Sequence, residues 1–257
     1  MKILAVGDIV GESGVKKLTE ELPKIIKEEK IDFVITNGEN SAGGMGITEK
    51  LFKEILGAGT NVVTMGNHTW GKKDIFKFIE HAQLLRPANY PKGVVGKGLG
   101  IYTCKNKKIA VINLMGRVDL NILTENPFII AKEMVEDLQG KVDIIAIDFH
   151  AEATAEKIAM ARSLDGKITL LFGTHTHVQT GDEQILPNGT GYITDLGMTG
   201  PKNSVIGMDV KASLKRFETT LPEKYRLAEG ECILNAVMFE IDDETNKVTN
   251  LKRIYLK

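Results

Sequence analysis

The sequence predicts an α/β protein, and three observations carry that expectation. Short apolar, β-branched runs alternate with amphipathic helical stretches through the first two thirds of the chain. Most of those runs are apolar at consecutive positions, as in strands covered on both faces. The last third breaks the alternation with strand-like segments separated by turn residues, so a mixed sheet, or two sheets packed face to face, accounts for both halves.

KILAVGD (2–8) reads as the first strand, and GVKKLTEELPKIIKEEK (14–30) follows as a helix with Val15, Leu18, Leu22, Ile25 and Ile26 at helical spacing and Pro23 as a kink. DFVITNGEN (32–40) is the next strand, ITEKLFKEILGAG (47–59) a helix ending at glycine, and NVVTMGNH (61–68) a third strand. KKDIFKFIEHAQ (72–83) has a helical pattern and carries His81, which lies outside every motif and reads as a surface or packing histidine. Strands at 108–115, 142–150 and 168–175 are separated by helices at 127–139 and 153–163. GYITDLG, ECILNAVMFEID and KVTNLKRIYLK complete the chain as meandering strands, with DDETNK as a turn. The spacing supports one domain, 1–257, in which the irregular stretch 198–230, with the helix-like DVKASLKRFE, is expected to act as a lid over a cleft.

The bulk properties exclude several classes. With 42% apolar and 26% charged residues, the chain suits a soluble globular domain, and a net charge of −1 supplies no general field for a polyanion or an acidic membrane. No run approaches a membrane span, and MKILAVGD meets an aspartate where a secretion signal needs an apolar core, so a cytoplasmic location is expected. Cys104 and Cys232 stand far apart and outside any CxxC spacing, which favours neither a disulfide framework nor a thiolate metal site. GDIVGESG (7–14) lacks the GxxxxGK[ST] lysine and the GxGxxG spacing, and reads as a tight strand-to-helix turn.

Chemistry gathers just past the apolar runs: Asp8, Glu39 with Asn40, Asn67 with His68, His150, then His175 and His177 in GTHTH. In open α/β sheets such positions line one crevice beyond the carboxyl ends of the strands. Imidazole nitrogen with carboxylate and amide oxygen, and no thiolate, suits Fe(II), Mn or Zn. The donors outnumber the needs of one tetrahedral ion and suit two ions sharing a carboxylate, an arrangement that clamps both oxygens of a displacement at phosphorus. Two divalent cations against Asp8 and Glu39 leave a positive surplus that favours a phosphate anion.

Gly7-Asp8, Gly38-Glu39-Asn40, Gly66-Asn67-His68, His150 and Gly173-Thr174-His175-Thr176-His177 resemble the motifs of the calcineurin-like metallophosphoesterases, GDxH, GDxx[DN], GNH[DE], H and GHxH. Val10 replaces the first motif's histidine, Glu39 the bridging aspartate, and the last motif reads THTH. With NGENSAGGMGIT, FHAEATAEK, THTHVQTGDEQILPNGTGYITDLGMTGP and SVIGMD, these departures are similar to the YmdB-type family of 2′,3′-cyclic-nucleotide 2′-phosphodiesterases over nearly the whole chain. The resemblance implies a sandwich of two mixed β-sheets flanked by helices, in α-β-β-α layers. It further implies that Asp8, Asn40 and His177 hold one divalent ion, that Asn67, His150 and His175 hold the other, and that Glu39 bridges them. The two histidines of THTH, as alternate residues of an extended segment, are then expected to address neighbouring ions from one backbone stretch. Fe(II) or Mn is the implied metal, with Zn or Mg as substitutes. His68 is left as the general acid for attack by a metal-bridging hydroxide on 2′,3′-cyclic nucleotides or other small phosphodiesters such as 3′,5′-cyclic AMP, with a 3′-phosphate released.

Two other readings stay open. One is a metal-dependent ribonuclease using Lys105, Lys107 and Lys108 or Lys211, Lys215 and Arg216 on RNA phosphates. The other is a nucleotide-responsive regulator in which 198–230 signals to a partner. The sequence leaves a homo-oligomer open.

Overall fold

The computed structural model describes residues 1–257. In chain order the elements are β1 (Lys2–Val6), β2 (Asp8–Ile9), α1 (Gly11–Glu29), β3 (Phe33–Asn37), α2 (Glu49–Gly57), β4 (Val62–Thr64), a 3₁₀ turn (Lys73–Lys77), β5 (Leu84–Leu85), β6 (Leu99–Cys104), β7 (Lys107–Met115), α3 (Pro127–Leu138) and β8 (Ile144–His150). They continue as α4 (Thr154–Ser163), β9 (Leu170–Thr174), β10 (Gln184–Ile185), β11 (Gly191–Ile193), β12 (Met198–Pro201), α5 (Val210–Thr219), β13 (Cys232–Ile241) and β14 (Val248–Leu256). The expected order of strands and helices therefore holds, with one local exception. The helical pattern at 72–83 yields only the 3₁₀ turn, and His81 lies exposed beyond it with its ring edge-on to Phe52, the centroids 5.0 Å apart. Helix α1 runs through Pro23 without a break.

Two mixed sheets stack face to face. One has the order β2-β12-β13-β1-β3-β4-β5, with β14 also on β13; the other has the order β10-β11-β9-β8-β7-β6. Strand alternation explains the layering. On β1, Ile3 and Ala5 face the second sheet while Leu4 and Val6 face α1 and α2; on β8, Ile144 and Ala146 face the first sheet while Ile145, Ile147 and Phe149 pack on the α3 and α4 side. Both faces of each sheet are thus apolar, which is why the strands read as continuous apolar runs. This is the expected α-β-β-α sandwich.

Strands β1, β3 and β4 run parallel in one sheet, and β7, β8 and β9 run parallel in the other. Asp8 follows β1, Glu39 and Asn40 follow β3, Asn67 and His68 follow β4, His150 ends β8, and His175 follows β9. Every one of these residues lies at a carboxyl end.

Beside this rim lies a fully buried ion pair, Lys157 Nζ to Asp195 Oδ2 at 2.7 Å, both side chains 0% exposed. Asp195 also accepts the Thr176 and Gly197 backbone N–H groups, which ties the pair to the 174–177 loop. Removing the ammonium leaves a buried carboxylate without its counter-charge. Lys157→Met is expected to lower the unfolding free energy by about 3–5 kcal/mol, measured by urea denaturation; a loss below about 1 kcal/mol would place the pair in the class of surface bridges.

Candidate metal centre

The rim residues meet in one polar hole between the apolar layers. Around His150 Nε2 stand Asn67 Oδ1 at 2.7 Å, His175 Nδ1 at 3.0 Å and Glu39 Oε1 at 3.1 Å. Two donors at right angles on one ion, each about 2.1 Å from it, stand about 3.0 Å apart, so each of the three has the spacing from His150 Nε2 of a neighbouring ligand. Glu39, His150 and His175 also form a cluster whose ligand atoms all lie within 4.8 Å of one another.

A second group adjoins the first across Glu39. His177 Nε2 lies 3.0 Å from the Asn40 amide nitrogen and 3.8 Å from Asp8 Oδ1, and the same amide nitrogen lies 3.3 Å from Glu39 Oε1. Asp8 is 0% exposed and its Oδ2 accepts the His175 backbone N–H at 3.2 Å, but its Oδ1 has no hydrogen-bond partner. An unpaired carboxylate oxygen in such a place is costly unless a cation meets it. The donor set, the spacing and this orphaned oxygen together fit divalent metal.

All the residues singled out in the sequence are in this hole. His68 sits at its edge, its side chain 27% exposed, with Nδ1 donating to Asn40 Oδ1 at 2.7 Å and lying 3.4 Å from Glu39 Oε1. Its backbone N–H donates to Glu39 Oε2. Gly66 is required between them, because a Cβ there would overlap the Glu39 carboxylate and the His150 ring.

One expectation about the local backbone fails. His175 and His177 do not reach the two groups as alternate residues of an extended segment: β9 stops at Thr174, and both histidines have positive φ, 101° and 65°. Non-glycine residues rarely hold this region, and the strain costs on the order of 1–3 kcal/mol each. The turn redirects the two rings to the two donor groups, which a flat strand end would not do.

Electrostatics follow from burial. Desolvation pushes the Asp8 carboxyl up against the opposing pull of His177 and His150. Burial also opposes ionisation of Glu39, yet the His150 and His68 imidazoles outweigh it and hold that carboxyl well below its usual range. Burial opposes charge on His150, but Glu39, Asp8 and Asp148 raise it to about 9, so that without an ion a proton occupies the space among its three neighbours. His175 is lowered to about 3, first by burial and then by the adjacent His150.

Sequence reasoning missed the residues behind the rings. His150 Nδ1 donates to Thr174 Oγ1 at 2.9 Å, and that hydroxyl donates to Asp148 Oδ1 at 2.7 Å. Asp148 is buried and pushed up to about 6 by desolvation, against the hydrogen bonds it accepts from Thr64 and Thr174. Its position two residues before His150, on the same side of a strand, was the available signal. His177 Nδ1 donates to the Ile206 carbonyl at 2.8 Å, and His175 Nε2 lies 2.9 Å from Glu152 Oε2.

This sandwich, with a carboxylate, amide and imidazole cage at the carboxyl ends of its strands, defines the class: a calcineurin-like metallophosphoesterase. A family model described as YmdB-like protein matches residues 4–254, and the chain belongs to that family. It is 47% identical to the 2′,3′-cyclic-nucleotide 2′-phosphodiesterase of Bacillus subtilis (strain 168), over 100% of this chain and 97% of that one. Among solved structures it resembles a novel phosphatase from Mycoplasma pneumoniae, with TM-score 0.94, 37% identity and coverage of 100% of this chain and 93% of that one. It also resembles a hypothetical protein from Thermus thermophilus, with TM-score 0.93, 36% identity and coverage of 99% of this chain and 98% of that one.

Thr174→Val keeps the shape but removes the hydroxyl between two buried polar groups. The expected cost is about 1–3 kcal/mol of unfolding free energy, read by chemical denaturation of the ion-free protein, and a neutral result would show that the His150 ring is held without it.

Proposed function

We propose that this chain is a two-metal phosphodiesterase that hydrolyses 2′,3′-cyclic nucleotides. The carrying observation is the convergence of Asn67, Glu39 and His175 on His150 Nε2, beside an Asp8 oxygen with no partner. The naming of the Bacillus subtilis relative supports the substrate class.

Asn67, His150 and His175 would hold one ion, Asp8, Asn40 and His177 the other, with Glu39 shared. Its Oε1 lies 3.1 Å from His150 Nε2 and accepts the Asn40 amide N–H at 3.3 Å, so one carboxylate touches both groups, which supports the shared role. Bound there, two divalent ions, Fe(II) or Mn as the family resemblance implies, would supply Lewis-acid polarisation of the phosphoryl oxygens and a nucleophile at neutral pH. His68 supplies the proton. The ribose oxygen expelled from a phosphodiester is a poor leaving group, and protonation removes that barrier. Because Asn40 Oδ1 accepts from His68 Nδ1, the ring is oriented and Nε2 is the nitrogen left to deliver a proton. Among the site imidazoles, the His68 side chain is the most exposed at 27%, consistent with exchange with solvent between turnovers.

In this reading residues 1–257 act as one domain, and the lid expected over 198–230 shortens to 202–230, because Met198–Pro201 form the buried strand β12, paired on both sides within the first sheet. Helix α5 buries none of its residues, while the nearby Ile206 carbonyl touches His177, so the segment is loosely packed yet joined to the centre. No helix is long and apolar enough to cross a membrane, and both cysteines are free, which suits a cytoplasmic location. The ribonuclease alternative gains little from its basic clusters. Lys105 pairs with Asp32, Lys107 bonds Asn246, and Lys215 pairs with Glu223. Lys107 and Lys108 moreover begin β7, whereas the site lies beyond the other end of that strand.

The test is metal content by elemental analysis beside turnover of 2′,3′-cyclic AMP and 3′,5′-cyclic AMP. Two ions per chain and hydrolysis of the first substrate are expected. His68→Ala should keep both ions and lose about 10²–10⁴-fold in kcat. Glu39→Gln should lose ion binding and turnover together; two ions retained in that variant would remove Glu39 from the shared position.

A further inference from the structure

We propose that Glu152 is the positioning residue that turns the Nδ1 lone pair of His175 toward the metal centre. The inference rests on the two-ion reading above, because it concerns how this chain holds a ligand for one of those ions.

The geometry is one-sided. His175 Nε2 lies 2.9 Å from Glu152 Oε2, and a carboxylate offers only acceptors, so the ring proton belongs on Nε2. The opposite nitrogen, Nδ1, is then bare, and it lies 3.0 Å from His150 Nε2 inside the donor cluster. Without Glu152 no acceptor stands behind the ring to hold the proton on Nε2, and the tautomer with Nδ1–H cannot ligate through that atom. A carboxylate behind the imidazole also raises its basicity as a ligand.

The need for this partner is local. His150 is fixed by the Thr174 hydroxyl and Asp148 below it, and His177 by the Ile206 carbonyl. His175 stands just past the end of β9 with φ 101°, so neither a strand ladder nor an ordinary backbone well fixes where its ring points. Glu152 follows two residues after His150, and the Glu152 side chain is 49% exposed against 18% for His175. A half-exposed hydrogen bond from a neutral imidazole to a carboxylate contributes little to folding, about 1 kcal/mol or less. A neutral effect on stability, combined with a large effect on ion binding, therefore distinguishes positioning from packing.

The experiment titrates the full chain, stripped of metal, with Mn(II) by calorimetry, for the parent, Glu152→Ala and Glu152→Gln. The parent should take two ions; if it takes none, the two-ion reading fails and this inference falls with it. With the parent at two ions, Glu152→Ala should weaken one dissociation constant by about 10–100-fold, leave the other close to the parent, and leave the unfolding midpoint of the ion-free protein unchanged. Glu152→Gln keeps an acceptor oxygen and should restore most of the affinity. The ¹⁵N shifts of His175 in the ion-free parent should report a protonated Nε2. The inference is overturned if Glu152→Ala binds both ions as the parent does, if Glu152→Gln is as weak as Glu152→Ala, or if the parent carries its proton on Nδ1.

Discussion

The structure depends on keeping a set of lone pairs aimed at one small volume that the fold has removed from water. A carboxylate or an imidazole in such a place has no solvent to satisfy it, so each of its other atoms must be tied elsewhere. That constraint is met in the same way at each ring. The nitrogen that faces away from the hole donates a hydrogen bond, to a hydroxyl at His150, a carbonyl at His177 and a carboxylate at His175, and the other nitrogen points into the hole. The four layers of the sandwich exist, in this sense, to hold partners on both sides of the rings.

The arrangement is held against local strain. His175, His177 and Ile206 have positive φ, and Ile206 is β-branched at φ 48°, a conformation such residues seldom adopt. Two of these residues stand in the loop after β9 and the third in the loop before α5, joined by the His177–Ile206 hydrogen bond, and the surrounding structure over-determines the first loop. Asp195 holds the Thr176 and Gly197 amides while buried Lys157 neutralises it, and Asp148 collects Thr64, Thr174 and Asn37 beneath His150. A buried acid held by several donors acts as a pin for backbone as well as a charge.

Most of the fold and the ligand candidates were legible in the sequence because both are periodic. Runs such as KIAVINLM and VDIIAIDFH announce strands covered on both faces, and the polar residue that ends each run is by that fact at the rim. What lay hidden was whatever depends on pairing across long separations. Nothing local links Asn37, Thr64 and Asp148, which stand on three strands of two sheets, and Glu152 differs in no visible way from the acids of an ordinary solvated turn. The failure at THTH has another origin: the apolar run predicts an extended backbone up to its last residue, but the turn geometry beyond it is set by what the rings must reach. Likewise the pattern at 72–83 is helical, yet Trp70 stacks on Phe76 at 5.5 Å and contacts Tyr90, and this packing is met by a single 3₁₀ turn.

The two halves of the centre are not held alike, and this follows from which elements supply them. Asn67, His150 and His175 come from the ends of strands buried in both sheets, with Thr174 and Asp148 behind them fully enclosed. Asp8 is as well enclosed, but its neighbour His177 depends for its ring orientation on Ile206, in a segment whose following helix α5 packs no residue into the core. Such a segment is held by fewer buried side chains than the strands are, and local opening draws on regions of that kind. Any opening that carries the Ile206 carbonyl away frees the His177 ring to turn while the His150 side stays fixed. The more labile ring of the cage is therefore the one whose outward partner lies in the least packed segment.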